Sequence, residues 1–271
     1  MRSNLQSLRK DKKAASPAVS AVIITAATVV LVIVSSLYAL QVLMRQEAQA
    51  EFGTAQNSLL AFDDALRDIA WDRDGSRSVR FTAKYGNMRL IDDGKSFSVN
   101  ASGFKDAAGL DAYFSQEFST SVVKYQMPNS YGLSESDSSY ILGDSRPIVS
   151  SLSDSYGQAL IVHESDITSI TLNYRVRVSE GGAIQVGSKT VHYVDIFVIR
   201  LISGNSIIGD TDFDLVCKNV GLTTNTSTEY TLNGPISIAA IGGSESDTVH
   251  LTLTGDSVVF NMIISEVKVS T

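Results

Sequence analysis

The stretch AVSAVIITAATVVLVIVSSLYALQVLM, residues 18–44, holds 27 residues without a charge, and Arg45 is the first charge after it. As an α-helix it would span roughly 40 Å, more than the ~30 Å hydrocarbon core of a bilayer. A helix satisfies its backbone polar groups within one segment, as lipid demands. Ser20, Thr25, Thr28, Ser35 and Ser36 can bond back to the preceding turn, so they do not forbid burial in lipid. The stretch reads as a membrane-inserting helix; the competing reading is a buried helix of a soluble core.

Its flanks orient it. Arg2, Arg9, Lys10, Lys12 and Lys13 precede it against the single Asp11, which keeps the N-terminus cytoplasmic by the positive-inside rule. Ser16-Pro17 suits a helix opening, with a capping hydroxyl and then proline where its missing N–H costs nothing. A secretory signal has a shorter apolar run followed by small residues at a cleavage site. Here the run is long, and Ala14 and Ala15 lie before it.

Lys12-Lys13-Ala14-Ala15-Ser16-Pro17 followed by a long Val/Ile/Ala helix resembles the class III signal of archaeal type IV pilin-like proteins. The resemblance covers some thirty residues. It implies a cut on the cytoplasmic side between Ala14 and Ala15, with the helix retained for a filament core. The bacterial relatives carry an acidic residue early in the mature helix; Pro17-Ala18-Val19 stands there instead, which favours the archaeal form. The resemblance further implies a structural or accessory subunit of a type IV pilus-like filament or secretion apparatus, with adhesion as one use. Its partners would be the membrane, like or related subunits, a prepilin-type signal peptidase and an export machinery. The alternative is a monomeric, membrane-anchored binding protein of the cell envelope.

The resulting expectation is an α+β chain, a long pilin-type helix followed by a mainly antiparallel, β-sandwich-like domain outside the cell. Residues 1–14 are the leader, 15–45 the transmembrane helix and 46–75 its extension. Residues 76–156 read as a small meander with an irregular region, and 157–271 as the sandwich. Beyond residue 13 the chain carries 17 basic and 28 acidic residues, a net of −11, which argues against nucleic acid as a partner. The lone Cys217 excludes an intramolecular disulfide, so the domain must depend on sheet packing.

Phe52, Ala55, Leu59, Phe62, Leu66 and Ile69 alternate spacings of three and four, a helical seam. It packs either on the protein's own sheet or on neighbouring subunits. Asp63 and Arg67 form an i,i+4 pair on the polar side. Val79, Phe81 and Ala83 start the meander, and Asp92-Asp93-Gly94 predicts a hairpin turn. Leu110–Phe118 reads as a short helix and residues 134–155 as a loop. Further strands are expected at 122–126, 159–163, 170–178, 183–186, 191–201, 213–217, 230–232, 236–241, 249–253 and 258–269. A fragment beginning near Ser76 is accordingly expected to be soluble.

Catalytic constellations are not evident. His163, His192 and His250 lie far apart in sequence, without metal-ligand spacing. Gly143-Asp144-Ser145 lacks the G-x-S-x-G elbow and reads as a turn. Asp210, Asp212 and Asp214 line one face of a strand, as a weak calcium site or a solvated face. Neither a cofactor nor an enzymatic activity is expected. Asn100-Ala101-Ser102 and Asn225-Thr226-Ser227 are acceptor sequons beside expected turns, placing possible glycans on Asn100 and Asn225.

Overall fold

A computed structural model describes residues 4–133, 138–204, 208–209 and 211–271. The chain divides into two compact units, Met1–Ala48 and Gln49–Thr271. One helix, α1 (Asn4–Ala70), supplies the first unit and opens the second. It starts well before Ser16-Pro17, the expected opening. Leu8, Arg9, Lys10, Lys12, Lys13, Ala14 and Ala15 are good helix formers, and Pro17 removes one backbone hydrogen bond among many. From Val19 to Met44 the large apolar side chains are exposed apart from the half-buried Val42, and a helix of this length and composition could cross a membrane. Thr25 Oγ1 donates to Ala21 O (2.8 Å) and Thr28 Oγ1 to Thr25 O (2.8 Å), so both hydroxyls are satisfied within the helix.

In the second unit, all six seam residues of α1 are buried. Phe62 meets Phe81 edge-on at 6.4 Å, and Phe52 lies 6.2 Å from Tyr125. The seam therefore packs on the protein's own sheet, and a fragment starting at Ser76 would leave its seat open. Asp63 is paired with Arg67 (3.0 Å) as expected, but on the buried face. The helix ends where Asn219 Nδ2 donates to the carbonyls of Ile69 (3.1 Å) and Ala70 (2.7 Å), with the Ser265 hydroxyl also on Ala70 O. Those carbonyls have no partner within the helix, so side chains from the far end of the sequence stop it.

The strands follow in chain order: β1 (Ser76–Phe81), β2 (Asn87–Lys105), β3 (Asp111–Pro128), β4 (Ser139–Leu142) and β5 (Ile148–Val149). Next come β6 (Gly157–His163), β7 (Ile167–Tyr174), β8 (Val176–Val186), β9 (Lys189–Ser203) and β10 (Ile208–Gly209). The series closes with β11 (Phe213–Thr226), β12 (Tyr230–Gly242), β13 (Glu245–Leu251) and β14 (Ser257–Ser270). The main path runs β4-β6-β7-β3-β2-β12-β14-β9-β8-β5, with β11 and β1 branching from β14, β13 from β12, and β10 from β2. Pairing is mostly antiparallel; β9–β14 and β5–β8 are parallel. The expected sandwich is thus one continuous hydrogen-bonded system. Residues 76–156 and 157–271 share it, since β1 pairs β11 and β2 pairs β12. Val99 of β2, Ile238 of β12, Phe260 of β14, Ile196 of β9 and Val178 of β8 meet in one buried cluster, so the sheet curls over a common core.

Several local expectations change. Of the expected helix Leu110–Phe118, residues 111–118 are extended, within β3: its partner β2 offers a ladder from Asn87↔Gln126 to Lys105↔Asp111, and pairing overrides local propensity. Asp92-Asp93-Gly94 is an irregularity inside β2 and not a hairpin turn. The register shifts between Ile91 and Lys95, Asp93 takes φ 48°, and the strand continues. A side chain at Gly94 would meet Ile91 and Val122 at 3.1 Å. The expected strand 170–178 breaks at Arg175, between β7 and β8. The expected loop 134–155 contains β4 and β5, with 134–137 outside the described residues.

Candidate functional site

The processing residues Lys12, Lys13, Ala14 and Ala15 are helical in backbone, and their side chains lie outside the described residues. The two sequons differ. Asn100 lies mid-strand in β2, between β3 and β12 and not beside a turn, and its Nδ2 donates to Ser98 Oγ (3.1 Å). Asn225 is exposed near the end of β11, just before the turn at 227–229, where an acceptor side chain is accessible.

The acidic triplet does not line one strand. Asp210 lies outside the described residues, Asp212 precedes β11 and accepts from Arg80 Nη2 (3.3 Å), and Asp214 is in the strand. Among the described residues no group of three or more His, Cys, Asp or Glu side chains is placed to hold a metal ion. The histidines stay apart: His192 contacts Glu180 Oε1 (3.2 Å) and Thr254 O (3.0 Å), and His250 contacts Ser237 Oγ (3.0 Å). His163 pairs with Thr168 Oγ1 (2.9 Å). Cys217 is buried, and burial pushes its thiol up to about 11 while Sγ donates to Arg77 O (3.4 Å).

Two polar assemblies were not visible in the sequence. The first is Glu51, on the buried face of α1. Its carboxylate accepts the backbone N–H groups of Lys84 (3.1 Å), Tyr85 (3.0 Å) and Gly86 (3.0 Å), and the Tyr125 hydroxyl (2.8 Å). Successive N–H groups of the β1–β2 turn converge on one anion, which binds that turn to the helix. The Tyr125 hydroxyl is pushed above its usual range, first by burial and then by Glu51. Gly86 makes this approach feasible, because a side chain there would lie 2.2 Å from the Tyr125 hydroxyl oxygen.

The second is Arg175, among the largest fully buried side chains. Its Nη1 donates to Asp144 Oδ1 (2.9 Å), and Nε to Ser155 O (3.1 Å). Arg146 also grips Asp144, through Nη2 at 2.7 Å. Together they hold the Asp144 carboxyl down to about 2, the Arg146 hydrogen bond being the larger cause. The Gly143-Asp144-Ser145 turn is therefore a clasp fastening the 143–156 segment over the β7–β8 break. Deeper in, burial raises the Asp63 carboxyl against the pull of Arg67, and one Asp63 oxygen has no hydrogen-bond partner among the described residues.

None of these groups combines a nucleophile, a base and an oxyanion cradle around an open cleft. What the arrangement provides is a rigid β unit locked to a helix by a carboxylate, a seam and a side-chain cap. Comparison with protein-family models, with curated proteins and with solved structures found no match to this chain.

Proposed function

We propose that this chain is a structural or accessory, minor pilin-like subunit of a type IV pilus-like surface filament or secretion apparatus. In this reading the N-terminal helix is held in the cell membrane before assembly, and the β unit faces the exterior and can serve adhesion. The observation that carries it is α1 itself: one helix is uncharged over residues 18–44 and largely exposed from Val19 to Met44, and its seam from Phe52 to Ile69 is consumed by the β unit. A tether needs only the first property; a filament subunit needs a spine firmly joined to its domain. The basic pair and small residues at Lys12-Lys13-Ala14-Ala15 supply the processing signal. The exposed Asn225 offers a glycan site consistent with an exterior location.

Two measurements test the proposal. Mass analysis of the N-terminus from the native membrane is expected to begin at Ala15; an intact Met1 beside a competent peptidase removes the pilin reading and leaves the anchored monomer. Small residues let helices approach closely. Ala26→Leu with Ala27→Leu should therefore keep membrane insertion yet lower the protein found in sheared surface filaments. Equal filament fractions, or no wild-type protein in sheared material, argue for a tether.

A further inference from the structure

Lys95 lies just after the irregularity in β2, and its side chain contacts residues of β6, β7 and β13. Its Nζ is 2.9 Å from Glu245 Oε2, 3.0 Å from Gln158 Oε1 and 3.4 Å from Asn173 Oδ1. Gln158 and Asn173 are direct cross-strand partners in β6 and β7. The group is secluded: side-chain exposure is 13% for Lys95 and 27% for Glu245, and residue exposure is 1% for Gln158 and 8% for Asn173. The Phe97 ring lies 5.3 Å from Nζ and stacks on Phe118. Gly242 leaves room for the lysine stem, since a side chain there would meet Lys95 Cε at 3.0 Å. Tyr140 donates its hydroxyl to the other Glu245 oxygen (2.9 Å), fixing that carboxylate.

An amine, a carboxamide and a carboxylate thus converge in one shielded place. We propose that Lys95 and Asn173 form an intramolecular isopeptide bond, with Glu245 as the proton-transfer group. Glu245 takes a proton from the Lys95 ammonium, and the neutral Nζ attacks Asn173 Cγ after a turn of the Asn173 carboxamide. The new Nζ–Cγ bond forms, the Cγ–Nδ2 bond breaks, and Glu245 passes its proton to the departing nitrogen. The residual proton on Nζ leaves with it. Lysine ammonium and carboxamide become a secondary amide and ammonium, and no oxidant or cofactor enters. Proximity supplies the advantage, because Nζ already touches the Asn173 carboxamide through its oxygen at 3.4 Å and the carboxamide has only to turn to present Cγ.

Asn173 is preferred to the nearer Gln158 because of what each nitrogen does. Gln158 Nε2 donates to Asp144 O at 2.6 Å, so its loss would orphan a carbonyl of the Asp144 clasp. The Asn173 carboxamide is hydrogen-bonded only through its oxygen among the described residues. Gln158 then acts as a positioning residue that aims Nζ.

The test uses the full chain purified in detergent. Tandem mass spectrometry of a protease digest is expected to show a branched peptide joining Lys95 to residue 173 and lacking one ammonia. Lys95→Arg and Glu245→Gln should each yield unbranched peptides at full mass, with circular dichroism confirming unchanged strand content. Wild-type protein with unbranched peptides overturns the proposal, as does a branch at Gln158. A branched Glu245→Gln chain removes Glu245 from the chemistry. None of these outcomes depends on whether the protein enters a filament.

Discussion

Glu51→Ala should be among the most damaging single changes in the β unit. The carboxylate is nearly buried and meets three backbone N–H groups and the Tyr125 hydroxyl within 3.1 Å. Hydrogen bonds to a charged group contribute about 1.5–3 kcal/mol each, and a buried donor left unpaired costs about 1–3 kcal/mol. The four are not additive, because the Lys84–Gly86 turn is partly exposed and water can replace the carboxylate there. Tyr125 has no such recourse, being fully buried. A loss of about 3–5 kcal/mol follows, a large share of an ordinary domain's stability. Glu51→Gln, which keeps the shape and one acceptor oxygen, should cost roughly half as much. The assay is urea unfolding of a fragment beginning at Arg45, extrapolated to water. A second signature is the Tyr125 ionisation, which should fall in Glu51→Ala without reaching the ordinary tyrosine value, because burial is its larger cause. A cost for the alanine variant under about 1 kcal/mol would refute the argument.

Three further outcomes are expected. A fragment from Ser76 should aggregate, whereas one from Arg45 stays soluble, as size-exclusion chromatography would show; the buried Leu59, Phe62 and Leu66 supply the difference. Asp144 is held low in the folded state, so its contribution is present above the ordinary carboxylate value and lost as pH falls toward about 2. Asp63 is raised, so its contribution is fullest at low pH and lost as pH rises. In urea titrations across pH, Asp144→Asn should flatten the acid limb, and Asp63→Asn should gain on wild type as pH rises. Cys217, buried and shifted up to about 11, should resist thiol reagents at pH 8 in the native protein and react fully in urea; native labelling would contradict its packing.

The legible parts of this sequence were those whose signal is carried by neighbours in the chain. An uncharged run declares a helix, the 3-4 spacing of Phe52 to Ile69 declares its buried face, and the apolar runs 191–201 and 258–269 declare central strands. Misreadings arose where distant partners decide. Residues 110–118 are helical or extended by local preference, and only the β2 ladder selects the strand. Asp92-Asp93-Gly94 carries turn chemistry, but Ser121 on Asp92 and the flanking pairs Ile91↔Val122 and Lys95↔Thr120 keep it within a strand. Asp63 looks like half of a surface pair until the sheet covers it. Glu51 and Tyr125 stand 74 positions apart, and Lys95 and Glu245 150, beyond the reach of any spacing rule.

The place of β14 governs how the β unit can form. It joins β9 in parallel from Ser257↔Val191 to Val269↔Ser203, takes β11 on its other side and touches β12. It also supplies the Ser265 hydroxyl that closes α1. Contacts of such long sequence separation carry a high loop-closure cost and form slowly. Until residues 257–270 have been synthesised, β9 and β11 lack their common neighbour, and the Ala70 carbonyl lacks the Ser265 hydroxyl. The nascent chain must therefore wait, with its apolar strands uncovered, for β14, which is made after β1–β13. A stop codon before residue 257 should leave an unfolded product, not a smaller domain.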